Sequence, residues 1–251
     1  MTIRHTVYLY FLMAIGSTPT FAQTSLQVGA FATHGDYGHA DATTVKALNF
    51  GVKSRHDNLT YKASAALLSI QGPGNVDTGI ILPEDSAQTR GETGFGDVML
   101  SATYSLPAAK TETLFWDVTA KLKIPTADEG RGLGTGGFDL EGRVDVAKRW
   151  QSVIGFAGAG YKFRGDGDQS RLENTLNGNV GLDTSIANNW RGGFTFSASQ
   201  AATSYSSAPR DVMFFVTDRL APRKTLTFWL MHGFTDGSPD LGAGLQYSTP
   251  F

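Results

Sequence analysis

From residue 25 to residue 251 the chain alternates apolar and polar side chains with a period of two, in twelve successive segments. That repeat belongs to a pleated strand whose two faces meet different surroundings. The segments fall near 25–34, 43–54, 59–69, 95–105, 113–124, 138–148, 152–163, 172–185, 190–200, 210–219, 225–235 and 240–251. In the fifth, Leu114, Trp116, Val118, Ala120, Leu122 and Ile124 interleave with Phe115, Asp117, Thr119, Lys121 and Lys123. In the sixth, Phe138, Leu140, Gly142, Val144 and Val146 share one face, and Asp139, Glu141, Arg143 and Asp145 share the other. The pattern predicts an all-β chain.

Composition narrows the class. No run of 18 or more apolar residues occurs, which excludes a helical multi-span membrane protein. An apolar fraction of 41% with 30 Gly is too hydrophobic and too evenly mixed for disorder. The balance of 21 basic against 23 acidic residues offers no concentrated basic face for nucleic acid. With no Cys, neither a disulfide scaffold nor a thiolate metal site is available. A length of 251 residues is compatible with one barrel domain.

Residues 1–22 stand apart. Arg4 and His5 precede the apolar run Val7 to Ile15, and Thr20 and Ala22 occupy the positions a signal peptidase reads. An apolar core of about ten residues is too short for a spanning helix, which needs about twenty. The expectation is a secretory signal at 1–22 and a barrel at 23–251.

The connections alternate in length. Short turns such as His56-Asp57-Asn58, Lys148 to Gln151, Ala187-Asn188-Asn189 and Ala221 to Lys224 follow even-numbered strands. Longer Gly-rich or polar loops follow odd-numbered ones, the longest at 70–94. An antiparallel transmembrane barrel with both termini in the periplasm requires this parity, and a soluble sandwich does not.

Strand periodicity leaves open which face meets lipid, and three features decide it. The chain ends on an alternating strand closed by Phe251, similar to the C-terminal signal that the bacterial barrel-assembly machinery recognises. Pro250 cannot donate a ladder hydrogen bond and is expected to fray the last residues. Aromatics gather at two heights: Tyr61, Tyr104, Trp116, Trp150, Trp190, Tyr247 and Phe251 near one rim, and Phe138, Tyr161, Phe163, Phe196 and Phe234 near the other. Such belts mark a lipid-facing wall. The polar faces, lastly, carry complementary charge. Pairing Ile124 with Phe138 sets Lys123 opposite Asp139, Lys121 opposite Glu141, and Arg143 opposite Thr119 and diagonal to Asp117. Such pairs contribute about 0.2–1 kcal/mol each. A charge facing lipid at mid-height costs about 2–4 kcal/mol, so the charged face is the lumen.

The stretch Lys121-Leu-Lys-Ile124-Pro125-Thr126-Ala127-Asp128, followed by Gly132-Leu-Gly134-Thr-Gly136-Gly137-Phe138-Asp139, resembles the hallmark of the MetA-pathway of phenol degradation family. Gly96-Asp97-Val98 is similar to that family's preceding motif, and Ala127 departs from it, standing where Gly is usual. The resemblance is detailed over 94–146 and architectural elsewhere. It implies an outer-membrane barrel for uptake of aromatic or other hydrophobic compounds, with no catalytic residues.

Other motifs carry less. Gly132, Gly134 and Gly137 satisfy the dinucleotide pattern G-x-G-x-x-G, but a strand pattern follows where a helix is needed, so they read as turn residues. His34 and His39 flank Asp36 and Asp41 without a further ligand, and read as a solvated loop. His232 shares the outward phase of Leu226, Phe228, Leu230 and Phe234, where barrel lipases and deacylases place their chemistry. Asp236 and Ser238 are the adjoining partners for a catalytic group.

The sequence therefore predicts a single twelve-stranded outer-membrane barrel passing small solutes, without enzyme chemistry, cofactor or metal. The expected lumen residues are Asp97, Asp117, Lys121, Lys123, Asp139, Glu141, Arg143, Asp145, Asn177, Asn179, Asp183, Arg191 and Trp229. Pro125, Thr126, Gly132, Gly134 and Gly136 are the family motif. Twelve strands predict a narrow pore, one that the 70–94 loop is placed to enter. The rivals are a lipid-modifying enzyme using His232 and a structural or partner-binding barrel.

Overall fold

A computed structural model describes residues 23–38, 41–73, 75–77, 80–82, 90–108, 113–168 and 171–251. The expected signal segment at 1–22 and His39 lie outside the described residues. Twelve strands form the wall: β1 (Gln23–Gly35), β2 (Thr43–His56), β3 (Leu59–Gly72), β4 (Arg90–Phe95, then Val98–Ser105), β5 (Leu114–Ile124), β6 (Asp139–Trp150), β7 (Val153–Arg164), β8 (Thr175–Ser185), β9 (Trp190–Ser199), β10 (Arg210–Ala221), β11 (Lys224–Gly233) and β12 (Leu241–Pro250). Each pairs antiparallel with the next, and β1 also pairs with β12 over Ser25 to His34, so the sheet closes. A small ribbon, Asn75–Asp77 against Ile80–Leu82, stands between β3 and β4.

Closure extends to the last residue. Pro250 lies opposite Ser25, and the Phe251 N–H donates to the Thr24 carbonyl at 3.0 Å. The expected fraying at Pro250 is thus absent: the next residue supplies the donor that proline lacks. Four turns on the rim beside the termini, the near rim, are tight; Asp57, Gln151 and Arg223 take positive φ there. The longest connections lie on the far rim.

The two pleats meet opposite surroundings. Trp116, Val118, Leu140 and Val144 are exposed on the outer pleat, whereas Lys121, Lys123, Asp139, Glu141 and Arg143 are buried on the inner one. Lys123 is 1% exposed and Leu140 is 51% exposed, the reverse of a water-soluble barrel. Tyr61, Tyr104, Trp116, Trp150 and Trp190 project outward near the near rim, and Phe138, Tyr161, Phe163, Phe196 and Phe234 do so near the far one. Both expected belts are present. The register between β5 and β6 is the expected one: Lys123 faces Asp139, Lys121 faces Glu141 and Thr119 faces Arg143.

β4 departs from regularity. Between the pairs Leu67–Phe95 and Ser64–Met99, β3 advances three residues and β4 four. The extra residue is a β-bulge at Gly96–Asp97, with the Gly96 N–H donating to the Ala66 carbonyl at 2.8 Å. It returns Asp97 to the inner pleat. β5 pairs with β4 only from Val98 onward, so the far-rim half of β4 pairs with β3 alone.

Val144→Arg places a charge on the exposed wall opposite Val118 and is expected to cost about 2–4 kcal/mol in lipid vesicles. Asn49→Arg on the inner pleat, opposite Gly29 and Ala66, is expected to cost less, as measured by denaturant unfolding of the two variants.

Candidate functional site

The free edge of β4 is covered by the segment leaving β5. Thr126 joins the two: its hydroxyl accepts from the Val98 N–H at 3.0 Å and donates to the Gly96 carbonyl at 3.2 Å. Ala127 N–H donates to Asp97 Oδ1 at 3.0 Å. A 3-10 turn at Glu129–Arg131 follows, and Arg131 reaches back to β4, pairing with Glu92 at 2.7 Å and donating to the Thr93 carbonyl. Gly132 and Gly136, with φ of 69° and 70°, then reverse the chain in a conformation that side chains disfavour. Asp139 opens a strand, so these glycines are turn residues and hold no helix N-terminus.

This reversal carries Leu133 and Thr135 into the barrel, where they are 2% and 0% exposed. Leu133 packs with Phe31, Tyr37, Val45, Leu68 and Ile70, all from β1 to β3 and their connections. Burial pushes the Tyr37 phenol well above its ordinary pKa. The Thr135 hydroxyl accepts from the Lys123 ammonium. Much of the 70–94 loop, expected to enter the pore, lies outside the described residues; among the described residues the connection 125–138 turns inward. Its entry is forced by the β4 bulge, which leaves β5 no partner beyond Val98 and offers Asp97 as an anchor.

Lys123 is the centre of this joint. It lies 3.6 Å from Asp97 and 3.2 Å from Asp139, and Lys162 stands 3.9 Å from Asp139. Toward the near rim, Lys121 pairs with Glu141 at 3.4 Å. Arg143 Nε lies 2.8 Å from Asp145 and its guanidinium also donates to Asn177 and Asn179, while Asn177 donates to Glu141 at 3.2 Å. Asp117 lies opposite Asp145, and Arg143 turns to Asp145 on its own strand rather than to Asp117. Arg191 pairs with Asp183 at 3.1 Å. The expected charged and amide residues therefore form a polar network across β4 to β9.

Toward the far rim, the inner wall of β10 to β12 and β1 to β3 is largely apolar. Trp229 is on the inner pleat as expected, packed against Phe31 with ring centroids 6.2 Å apart and against Met213, Phe215 and Met231. A Cβ on Gly244 would fall 2.5 Å from the Trp229 ring, so only glycine lets the indole lie across β12. A groove of about 860 Å³ involves this part of the wall and opens on its outer face, where Ala30, Ala32, Leu48, Phe214, Phe228, Leu230, Ala243 and Leu245 line it.

Lys53, Arg55, Lys62, Lys162 and Arg164 also occupy the inner pleat, where sequence reasoning did not place them. The available signal was their phase: each sits two, four or six residues from an inner-pleat position of its strand. His232 is exposed on the outer pleat, and its Nδ1 is 2.8 Å from the Asp240 backbone carbonyl. That carbonyl occupies the ring nitrogen a carboxylate would orient, and Ser238 is buried in the adjoining connection. His34 Nδ1 is 2.9 Å from the Thr44 hydroxyl.

The MetA-pathway of phenol degradation family matches the sequence over residues 17–251. The chain belongs to that family. Its motif segments, Gly96-Asp97-Val98 and the run from Pro125 through Gly136, are the two sides of the Lys123 joint. No curated protein matches the sequence. The fold is similar to the KdgM porin in complex with disordered oligogalacturonate, at TM-score 0.55 and 8% identity over 90% of this chain and 99% of that one. The NanC porin is similar at TM-score 0.54 and 10% identity, over 90% and 98%. The CymD monoaromatic hydrocarbon channel is similar at TM-score 0.46 and 9% identity, over 93% and 89%. The barrel thus has the fold of outer-membrane porins.

Lys123→Met removes the shared partner of Asp97 and Asp139 and is expected to destabilise the barrel by about 3–5 kcal/mol. The triple variant Lys123→Met, Asp97→Asn, Asp139→Asn is expected to recover part of that loss. Denaturant unfolding in vesicles measures both.

Proposed function

We propose that this barrel is an outer-membrane channel for passive uptake of small molecules, aromatic compounds among them, with both termini in the periplasm. The observation that carries this reading is the inner wall itself. Ion pairs and amides line β4 to β9, and aromatic and aliphatic side chains line the far-rim part of β10 to β12 and β1 to β3, inside a cylinder whose outside is apolar. Segment 125–138 stands at the far rim as the constriction, sealed on the apolar half by Leu133 and on the charged half by Thr135.

Family membership supports the reading, and the wall chemistry explains how it works. A solute entering from the far rim passes between a charged face, which orders it by charge, and an apolar face, which accommodates a ring. Phe251, 86% exposed beside the near rim, is available to the barrel-assembly machinery, and the outer pleat to lipid. No step requires a cofactor or an energy source, and flow follows the gradient.

Two measurements test this. Purified protein in planar bilayers is expected to conduct, and liposomes containing it to swell in arabinose. Replacing 129–136 by a short Gly-Ser linker is expected to raise single-channel conductance several-fold while the barrel stays folded. Absence of conductance and of uptake in both wild type and the linker variant would overturn the proposal.

A further inference from the structure

The far-rim belt of aromatics on the outer wall is interrupted. Phe138, Tyr161, Phe163, Phe196 and Phe234 supply it, at or beside the ends of β6, β7, β9 and β11. On β12, β1 and β2 the outer positions at that end are Leu241, Ala243, Ala32, His34, Thr44 and Lys46, with no Phe, Tyr or Trp among them. Basic side chains take the place of the belt. Lys46 is exposed opposite Ala32, and Arg210 is exposed as the first residue of β10. His34 and His232 flank Leu241, each directly opposite it. All four lie within four residues of the far-rim ends of their strands. At about 4.8 Å per strand, the row from β10 to β2 is about 19 Å wide.

The row carries cations without carboxylates. Among the described residues, neither Lys46 nor Arg210 forms an ion pair, and the carboxylate on the outer pleat of these five strands is Asp218, near the other end of β10. The carboxylates in the adjoining connections turn elsewhere: Asp36 accepts from the Gly38 N–H at 3.1 Å, Asp236 lies beside Gly38, and Asp240 stands toward the buried Tyr37. Thr44 and the Asp240 carbonyl engage Nδ1 of His34 and of His232, which leaves Nε2 of each ring to a ligand. A cation on a lipid-facing pleat is favoured only near the headgroups and beside an anion. The apolar groove of about 860 Å³ begins where the row ends. It reaches from Leu48 on β2 to Phe214 on β10, under the same five strands, with Lys46 at its edge. A breadth of about 19 Å takes several acyl chains side by side.

We infer that this sector of the outer wall is a binding site for a phosphorylated lipid with several acyl chains, drawn from the leaflet at the far rim. The row of Arg210, His232, His34 and Lys46 takes the phosphates, and the groove takes the chains. Arg210 presents a planar fork to phosphate oxygens and Lys46 a point charge on a long stem, which can bend toward the headgroups. The site goes beyond the channel reading and shares with it only the orientation that puts the far rim outward.

The test titrates the purified full barrel in detergent micelles with lipid A, with its dephosphorylated form and with phosphatidylglycerol, counting bound lipid by native mass spectrometry. Wild type is expected to hold one lipid A and to prefer it about tenfold over each of the other two. Lys46→Ala with Arg210→Ala is expected to weaken lipid A binding about tenfold, and Lys46→Arg to retain it. Ala32→Leu with Ala243→Leu fills the groove and is expected to weaken binding with the cations intact. Conductance of all these variants is expected to stay at the wild-type value. Equal binding of the dephosphorylated form or of phosphatidylglycerol, or unchanged binding in the Lys46→Ala, Arg210→Ala variant, overturns the inference. A dimer that lipid A does not dissociate assigns the groove to a second copy and overturns it as well. If the alanine variant does not fold, the wild-type comparisons decide alone. Micelle binding is read without current, so absent conductance removes the channel and leaves this site, and absent lipid A binding removes this site and leaves the channel.

Discussion

Backbone hydrogen bonding in a medium without water governs this molecule. In hydrocarbon every N–H and C=O needs a partner within the protein, so a sheet survives there only by closing on itself. The pairing of β1 with β12 meets that demand, and the even strand number and the common rim of the termini follow from it. Once the cylinder is closed, the pleat has one side in lipid and one side enclosed. Lys123, Asp139 and Arg143 can then be placed only inside, and Leu140 and Val144 only outside.

Much of this was legible in the sequence because the penalty for a misplaced charge is large and local. A one-residue slip between β5 and β6 would turn the inner-pleat charges of a strand toward lipid, so alternation fixed the faces, and pairing Ile124 with Phe138 then set Lys123 opposite Asp139 and Lys121 opposite Glu141. Lys53, Arg55 and Lys62 were harder to see. The β2 and β3 faces carry Gly51, Ala63 and Ala65, whose small side chains blur the apolar phase that made β5 and β6 plain. The inward course of 125–138 was not legible at all. It depends on a bulge at Gly96–Asp97, and on contacts between Leu133 and strands β1 to β3 that are distant in sequence.

The family motif takes its meaning from that joint. Thr126, Ala127 and Asp97 hold the exit of β5 against the edge of β4, and the glycines turn the chain so that Leu133 reaches the inner face of β1 to β3. A free strand edge is a template for unwanted pairing. The same segment that narrows the lumen therefore also covers the edge the bulge creates. Ala127, with a methyl where the family pattern has glycine, still donates to Asp97 through its backbone, which is why the departure leaves the joint intact.

The seam between β1 and β12 has a kinetic side. It joins the pair of strands farthest apart along the chain, from Ser25 with Pro250 to His34 with Leu241. Loop-closure entropy makes such a contact the slowest to find. Hairpins such as β6–β7 can assemble from neighbours, but the cylinder is complete only when its first and last strands meet. Until that moment both present open rows of donors and acceptors, and the nascent wall is a sheet with two adhesive borders.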